Sequence, residues 1–114
     1  MKNKKIKKIV DCIKDKKGTE IIILDIKGLS SLTDYFIVCT SDSDPKTRAL
    51  VNHIKKELSR EKIKPVHIEG LECLDWGLID YFDTVVHVFK KDSREFYNIE
   101  RLWADAKVTR IEND

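Results

Sequence analysis

The sequence predicts an α/β (α+β) fold, a mixed sheet of about five strands flanked by three helices. Three observations carry this. Apolar residues recur at helical spacing in three segments, 3–17, about 45–62 and 93–106. Short apolar, β-branched runs lie between them: EIIILDI (20–26), YFIVCT (35–40) and VHIE (66–69). WGLIDY (76–81) and TVVHVF (84–89) flank a tight Phe82-Asp83 connection, the pattern of an antiparallel hairpin.

Taken in order, the first helix carries Ile6, Ile9, Val10 and Ile13 on one stripe, and Gly18 is its stop. The run 20–26 is too short for a helix and is bounded by Gly18 and Gly28, which favours a buried strand. A polar loop, 27–34, leads to the second strand, 35–40. In the next helix Asp44 suits the N-cap and Pro45 the first helical position, with Leu50, Val51, Ile54 and Leu58 on the apolar face. Strand 35–40, this helix and strand 66–69 read as a right-handed crossover between parallel strands. Asp92 with Glu95 suggests a capping box for the last helix, whose stripe is Phe96, Ile99, Leu102, Trp103 and Ala106. The tail VTRIEND frays or adds a short edge segment.

The 114 residues fit one domain, 1–114, with a single core. At 41% hydrophobic and 37% charged, the composition is that of a globular protein with a solvated surface. No apolar run reaches the ~18 residues that span a bilayer, so no membrane role is expected. The basic start MKNKKIKKIV lacks the apolar core of a secretion signal. Cys12, Cys39 and Cys73 are an odd set without CxxC spacing, which points to a reducing cytoplasm. The net charge of +2 conceals a gradient: residues 1–17 balance to +6 and residues 65–114 to −5. The lysine-rich end reads first as a solvated helix face and second as a weak contact for rRNA phosphate.

Two sets of residues could in principle carry chemistry. Asp42 and Asp44 form a D-x-D after a strand, the arrangement that holds a divalent metal against a triphosphate in nucleotidyltransferases. The glycine-containing turn that admits a nucleotide is missing, and Asp44 has a capping role, so no catalytic residue is assigned. His67, Glu69, Cys73 and His87 match no common metal-ligand spacing, and no metal or other cofactor is assigned. His87 and Cys39 read as sheet-face or core residues.

The segment 69–89 stands out. It holds five carboxylates and no Lys or Arg, together with Trp76, Tyr81, Phe82 and Phe89. Strand alternation puts Trp76, Leu78 and Asp80 on one face and Gly77, Ile79 and Tyr81 on the other. Both faces are apolar, so either helices cover both or one is completed by another chain. Aromatics flanked by acids suit a partner bearing Arg and Lys.

Thr33-Asp34-Tyr35-Phe36, Glu69-Gly70, Trp76-x-Leu78-x-Asp80-Tyr81, Val86-His87-Val88-Phe89 and Arg94-x-Phe96-Tyr97-x-x-Glu100-x-Leu102-Trp103 occur in that order. In these motifs, over residues 5–107, the chain resembles the ribosomal silencing factors, also called the Iojap family. The resemblance implies a nucleotidyltransferase-like fold lacking the catalytic motif, and no enzymatic activity. It implies a cytoplasmic homodimer that binds the large ribosomal subunit through its fourteenth protein. There it would block joining of the small subunit and repress translation when nutrients are scarce. Organellar relatives assist large-subunit maturation, which is the alternative role. The chain departs from the family at Thr40-Ser41-Asp42-Ser43-Asp44, where an S-G-x-S type loop is usual. For the ribosomal-protein-binding site the expected residues are Trp76 as anchor, Leu78 and Tyr81 as apolar support, and Asp80, Asp83 and Glu69 as partners for basic groups.

Overall fold

In the computed structural model, which describes residues 3–112, α1 (Lys4–Asp15) starts where the Asn3 side chain accepts from the Ile6 N–H at 3.1 Å. Ile6, Ile9, Val10 and Ile13 are buried, and the Gly18 N–H closes the helix on the Ile13 carbonyl at 2.9 Å. β1 (Thr19–Asp25) and β2 (Tyr35–Ser41) pair antiparallel. α2 (Asp44–Arg60) is capped by Ser43, not Asp44: the Ser43 hydroxyl accepts from the Lys46 N–H at 3.2 Å. Asp44 lies one place inside, in the first turn, where its charge suits the helix dipole.

β3 (His67–Glu69), β4 (Trp76–Asp80) and β5 (Thr84–Lys90) follow, with β4 and β5 forming the expected antiparallel hairpin. Gly70 permits the entry into it. Its φ is +86°, and a side chain there would overlap the Trp76 carbonyl. Among the described residues the sheet has six strands, ordered β3-β4-β5-β2-β1-β6. The sixth, β6 (Lys107–Arg110), is the expected edge segment and pairs antiparallel with β1; Asn113 and Asp114 of the tail lie outside the described residues. The parallel neighbour of β2 is β5, with Val38 opposite His87, rather than β3. β3 runs in the direction of β2, but the β4–β5 hairpin inserts between them.

The third helical segment differs from expectation. It divides into α3 (Lys91–Tyr97) and α4 (Ile99–Leu102) at Asn98, which is left-handed at φ 43°. Lys90 occupies the N-cap and no side chain caps the helix, so the Asp92–Glu95 capping box does not form. The break turns Ile99 inward and leaves Phe96 80% and Leu102 76% exposed, removing both from the expected stripe.

Two apolar layers result. On one face α1 and α2 cover Ile21, Ile23, Ile37, Ile79, Val86 and Val88. Gly77 lets α2 come close, since a Cβ there would stand 3.1 Å from a Val51 methyl. On the other face Ile99 and Ala106 pack with Ile22, Leu24, Val38 and Phe89. α3 and α4 are much shorter than α2, and their cover is partial.

Candidate interaction face

The uncovered part of the second face is built by register. Leu78 is opposite His87, Asp80 opposite Val85 and Trp76 opposite Phe89. Glu69 lies beside Leu78, and His67 beside Asp80. These side chains share one face, and those of His67, Glu69, Leu78, Asp80, Val85 and His87 help to line a groove of about 350 Å³. Leu32, Phe36, Leu78, Val85 and Trp103 form its apolar walls, and Thr33, His67, Glu69, Asp80 and His87 its polar positions. Among the described residues, neither Lys nor Arg lines it. The apolar surface extends outward at Leu32, 85% exposed on the 27–34 loop.

The expected site residues are not all brought together. Leu78, Asp80 and Glu69 line the groove. Glu69 is exposed and meets His67 at 3.2 Å. Asp80 is half-buried, and its Oδ1 accepts from the Phe82 N–H at 2.8 Å, which holds the hairpin turn at the left-handed Phe82. Trp76 is on the same face but half-buried, its ring 4.8 Å from that of Phe89 and 4.8 Å from that of Tyr97. Its Nε1–H donates to His87 Nδ1 at 3.0 Å, so it orients the histidine.

Tyr81 is not part of this face. It is 3% exposed and packs in the α1–α2 layer, because its position has the parity of Ile79 rather than Leu78. Burial pushes its phenol up to about 12. Asp83 is drawn to α1: its Oδ1 accepts from Lys5 Nζ at 2.6 Å, and its carbonyl accepts the Asp34 and Tyr35 N–H groups.

Thr33, Phe36, His87 and Trp103 also line the groove and are not among the residues expected from the sequence. Of these, His87 had a readable signal, since the two-residue hairpin connection fixes Leu78 opposite it. His87 is 4% exposed, and burial lowers its pKa to about 3, so the ring is neutral at ordinary pH. The Trp N–H is a donor only, so His87 Nδ1 is the acceptor and the ring proton resides on Nε2.

The other candidate chemistries are occupied by the protein's own groups. Asp42 pairs with Lys46 at 3.5 Å, and Asp44 with Lys90 at 2.6 Å. Lys90 also reaches Asp75 at 3.0 Å, so an ammonium stands among the carboxylates that would face a metal; these partners hold its pKa above the ordinary lysine value. Among the described residues, no cluster of three or more His, Cys, Asp or Glu has metal-binding geometry. Cys73 is exposed and donates to Asp75 at 3.1 Å, whereas Cys39 is buried and its thiol pushed up to about 12 by desolvation. Several N-terminal lysines pair internally: Lys5 with Asp83, Lys7 with Asp11 and Lys8 with Glu61. Lys2 lies outside the described residues. Among the described residues no helix is long and apolar enough to cross a membrane.

A family model described as ribosomal silencing factor during starvation matches residues 1–114. The ribosomal silencing factor RsfS of Halalkalibacterium halodurans is 39% identical over 103 residues, covering 90% of this chain and 88% of that protein. A crystal structure of a Chromobacterium violaceum protein superposes with a TM-score of 0.85 at 35% identity, over 96% of this chain and 92% of that one. A more distant relative is Mitochondrial assembly of ribosomal large subunit protein 1 of Mus musculus, 27% identical over 98 residues, 83% of this chain and 43% of that protein. With its full length matched by the family model and its fold shared with a solved structure of clear sequence identity, the chain belongs to the ribosomal silencing factor family.

Proposed function

We propose that the chain is a non-enzymatic binding protein that docks on the large ribosomal subunit with the uncovered half of its sheet and thereby keeps the small subunit from joining. The partner in this reading is the fourteenth protein of the large subunit, and the setting is the cytoplasm. The observation that carries it is the groove itself, apolar-walled, rimmed by Glu69 and Asp80, and lined by no Lys or Arg among the described residues. Such a surface repels RNA phosphate and attracts a basic protein. Ribosomal proteins are typically basic, so complementarity favours a ribosomal protein over rRNA as the primary contact. The mechanism needs no bond chemistry: a molecule seated on the joining face excludes the small subunit by volume.

Leu78 supplies apolar contact from the groove wall, while Glu69 and Asp80 steer the partner's cations. Trp76 holds the face in shape and contributes the exposed part of its ring. A homodimer, with the lysines of α1 adding weak phosphate contacts, completes the reading. The name of the mouse relative favours a second role, in assembly of the large subunit, by the same docking.

Purified large and small subunits, pelleted separately with the protein, test the docking. The protein is expected to sediment with the large subunit alone. Leu78→Arg, which puts a cation and excess volume into the groove, is expected to weaken binding about tenfold or more. Glu69→Lys is expected to slow association with a smaller loss of affinity. Undiminished binding by Leu78→Arg would move the interface elsewhere.

A further inference from the structure

Among the described residues, four buried side-chain polar atoms have no hydrogen-bond partner within the protein: Thr33 Oγ1, Tyr81 OH, His87 Nε2 and Glu100 Oε2. Two of them, Thr33 and His87, belong to residues lining the same groove. Both residues are more than nine-tenths buried, Thr33 at 8% and His87 at 4% exposure. An unpaired buried polar atom destabilises the free fold, so two together on one groove call for a ligand that satisfies both.

Their chemistry is complementary. His87 Nδ1 is committed to the Trp76 N–H, which leaves Nε2 as a fixed donor. The Thr33 hydroxyl can accept or donate. An extended main chain presents a carbonyl and an N–H in alternation, which matches a donor and an acceptor along one groove. The rim carboxylates of Glu69 and Asp80 and the walls of Leu78, Phe36 and Trp103 set the side chains such a segment should carry.

We infer that the groove reads the main chain of one extended segment of the partner. A backbone carbonyl accepts from His87 Nε2–H, and a backbone N–H donates to Thr33 Oγ1. An apolar side chain lies against Leu78 and Phe36, and flanking Lys or Arg residues face Glu69 and Asp80. This rests on the large-subunit docking proposed above and names the chemistry of the segment that enters. It assigns Thr33 and His87 as contact residues and makes Trp76 a positioning residue, acting through the imidazole.

Thr33→Val separates binding from structure, because it keeps the side chain's shape and deletes only the unpaired hydroxyl. The variant is expected to be as heat-stable as the parent, or more so, while binding purified large subunits about fivefold more weakly. His87→Phe is expected to weaken binding at least as much, with some loss of stability from stranding the Trp76 N–H. Tyr81→Phe removes an unpaired hydroxyl outside the groove and is expected to leave binding unchanged. If Thr33→Val and His87→Phe both bind large subunits like the parent, the groove is not the reading site, although the docking proposal survives. If the parent itself fails to bind large subunits, both fall. If Thr33→Val instead alters self-association by sedimentation velocity, with subunit binding intact, the occupant is a second copy and the inference is overturned.

Discussion

Replacing Trp76 by Phe isolates one hydrogen bond at the centre of the proposed face. The Trp76 ring stacks on Phe89 and meets Tyr97, both at 4.8 Å between centroids, and its Nε1–H bonds His87 Nδ1 at 3.0 Å. Phe preserves most of the stacking and deletes the donor, leaving His87 Nδ1 buried without a partner. That stranding should destabilise the fold by about 1–2 kcal/mol. Trp76→Ala adds the loss of the ring. Full burial would make that loss about 3–5 kcal/mol, and a half-buried ring loses about half of it, so the alanine variant should be weaker by about 3–4 kcal/mol in all. Urea denaturation followed by circular dichroism reads both. At a slope of about 1.5 kcal/mol/M, the Phe variant's midpoint should fall by about 1 M and the Ala variant's by about twice that. An unchanged midpoint for Trp76→Phe would refute the Trp76–His87 bond and, with it, the assignment of the ring proton to Nε2. The alanine variant is a poor probe of docking alone, because it also loosens the aromatic cluster.

Two further outcomes follow from buried charge and titration. Arg94 bonds the Glu100 carboxylate at 2.9–3.0 Å, the Glu20 carbonyl at 2.5 Å and the Thr40 hydroxyl at 2.8 Å, with a side chain only 10% exposed. Arg94→Ala should therefore destabilise by about 3 kcal/mol, read by thermal melting, since it strands the partly buried Glu100. The folded-state pKa of His87, about 3, lies below the unfolded value of 6.5, so the unfolded chain takes up the proton first. The stability due to this site is complete above pH 6.5 and is lost as pH falls toward 3. The His87 share of that loss is about 2 kcal/mol between pH 6.5 and 5. Comparing the pH–stability profile with that of His87→Phe checks it: the parent should lose more over this interval, and parallel curves would contradict the assignment.

Local chemistry was legible in the sequence, and long-range pairing was not. The α1 stripe, the β4–β5 hairpin and the face shared by Trp76, Leu78 and Asp80 follow from spacing alone, and the structure holds all of them. The parallel β2–β5 pairing joins strands separated by a whole helix and two other strands, and nothing in either strand names its partner. The third helical segment departs from expectation because its 3.6-residue pattern runs through Asn98, where a single left-handed residue resets the phase. Ser43 took the cap expected of Asp44, since both suit the role and one residue of helix start decides between them.

The candidate site was legible in part for the same reason. Leu78, Asp80 and Glu69 converge because hairpin register is local. Tyr81 was assigned to docking although its parity placed it opposite Leu78, and the structure follows the parity. Asp83 was read as a docking acid, but α1 supplies Lys5 to it across 78 positions of sequence, a contact without local signal. Thr33, Phe36 and Trp103 reach the groove from a loop, the central strand and the far end of α4, so their convergence belongs to the tertiary fold.

The most direct test of the central claim is subunit joining. Purified large and small subunits, mixed with and without the protein under conditions that favour association, are resolved on a sucrose gradient. The protein is expected to deplete the joined-ribosome peak and to migrate with the free large subunit, and Leu78→Arg is expected to restore joining. Joined ribosomes forming as readily with saturating protein as without it would contradict the account.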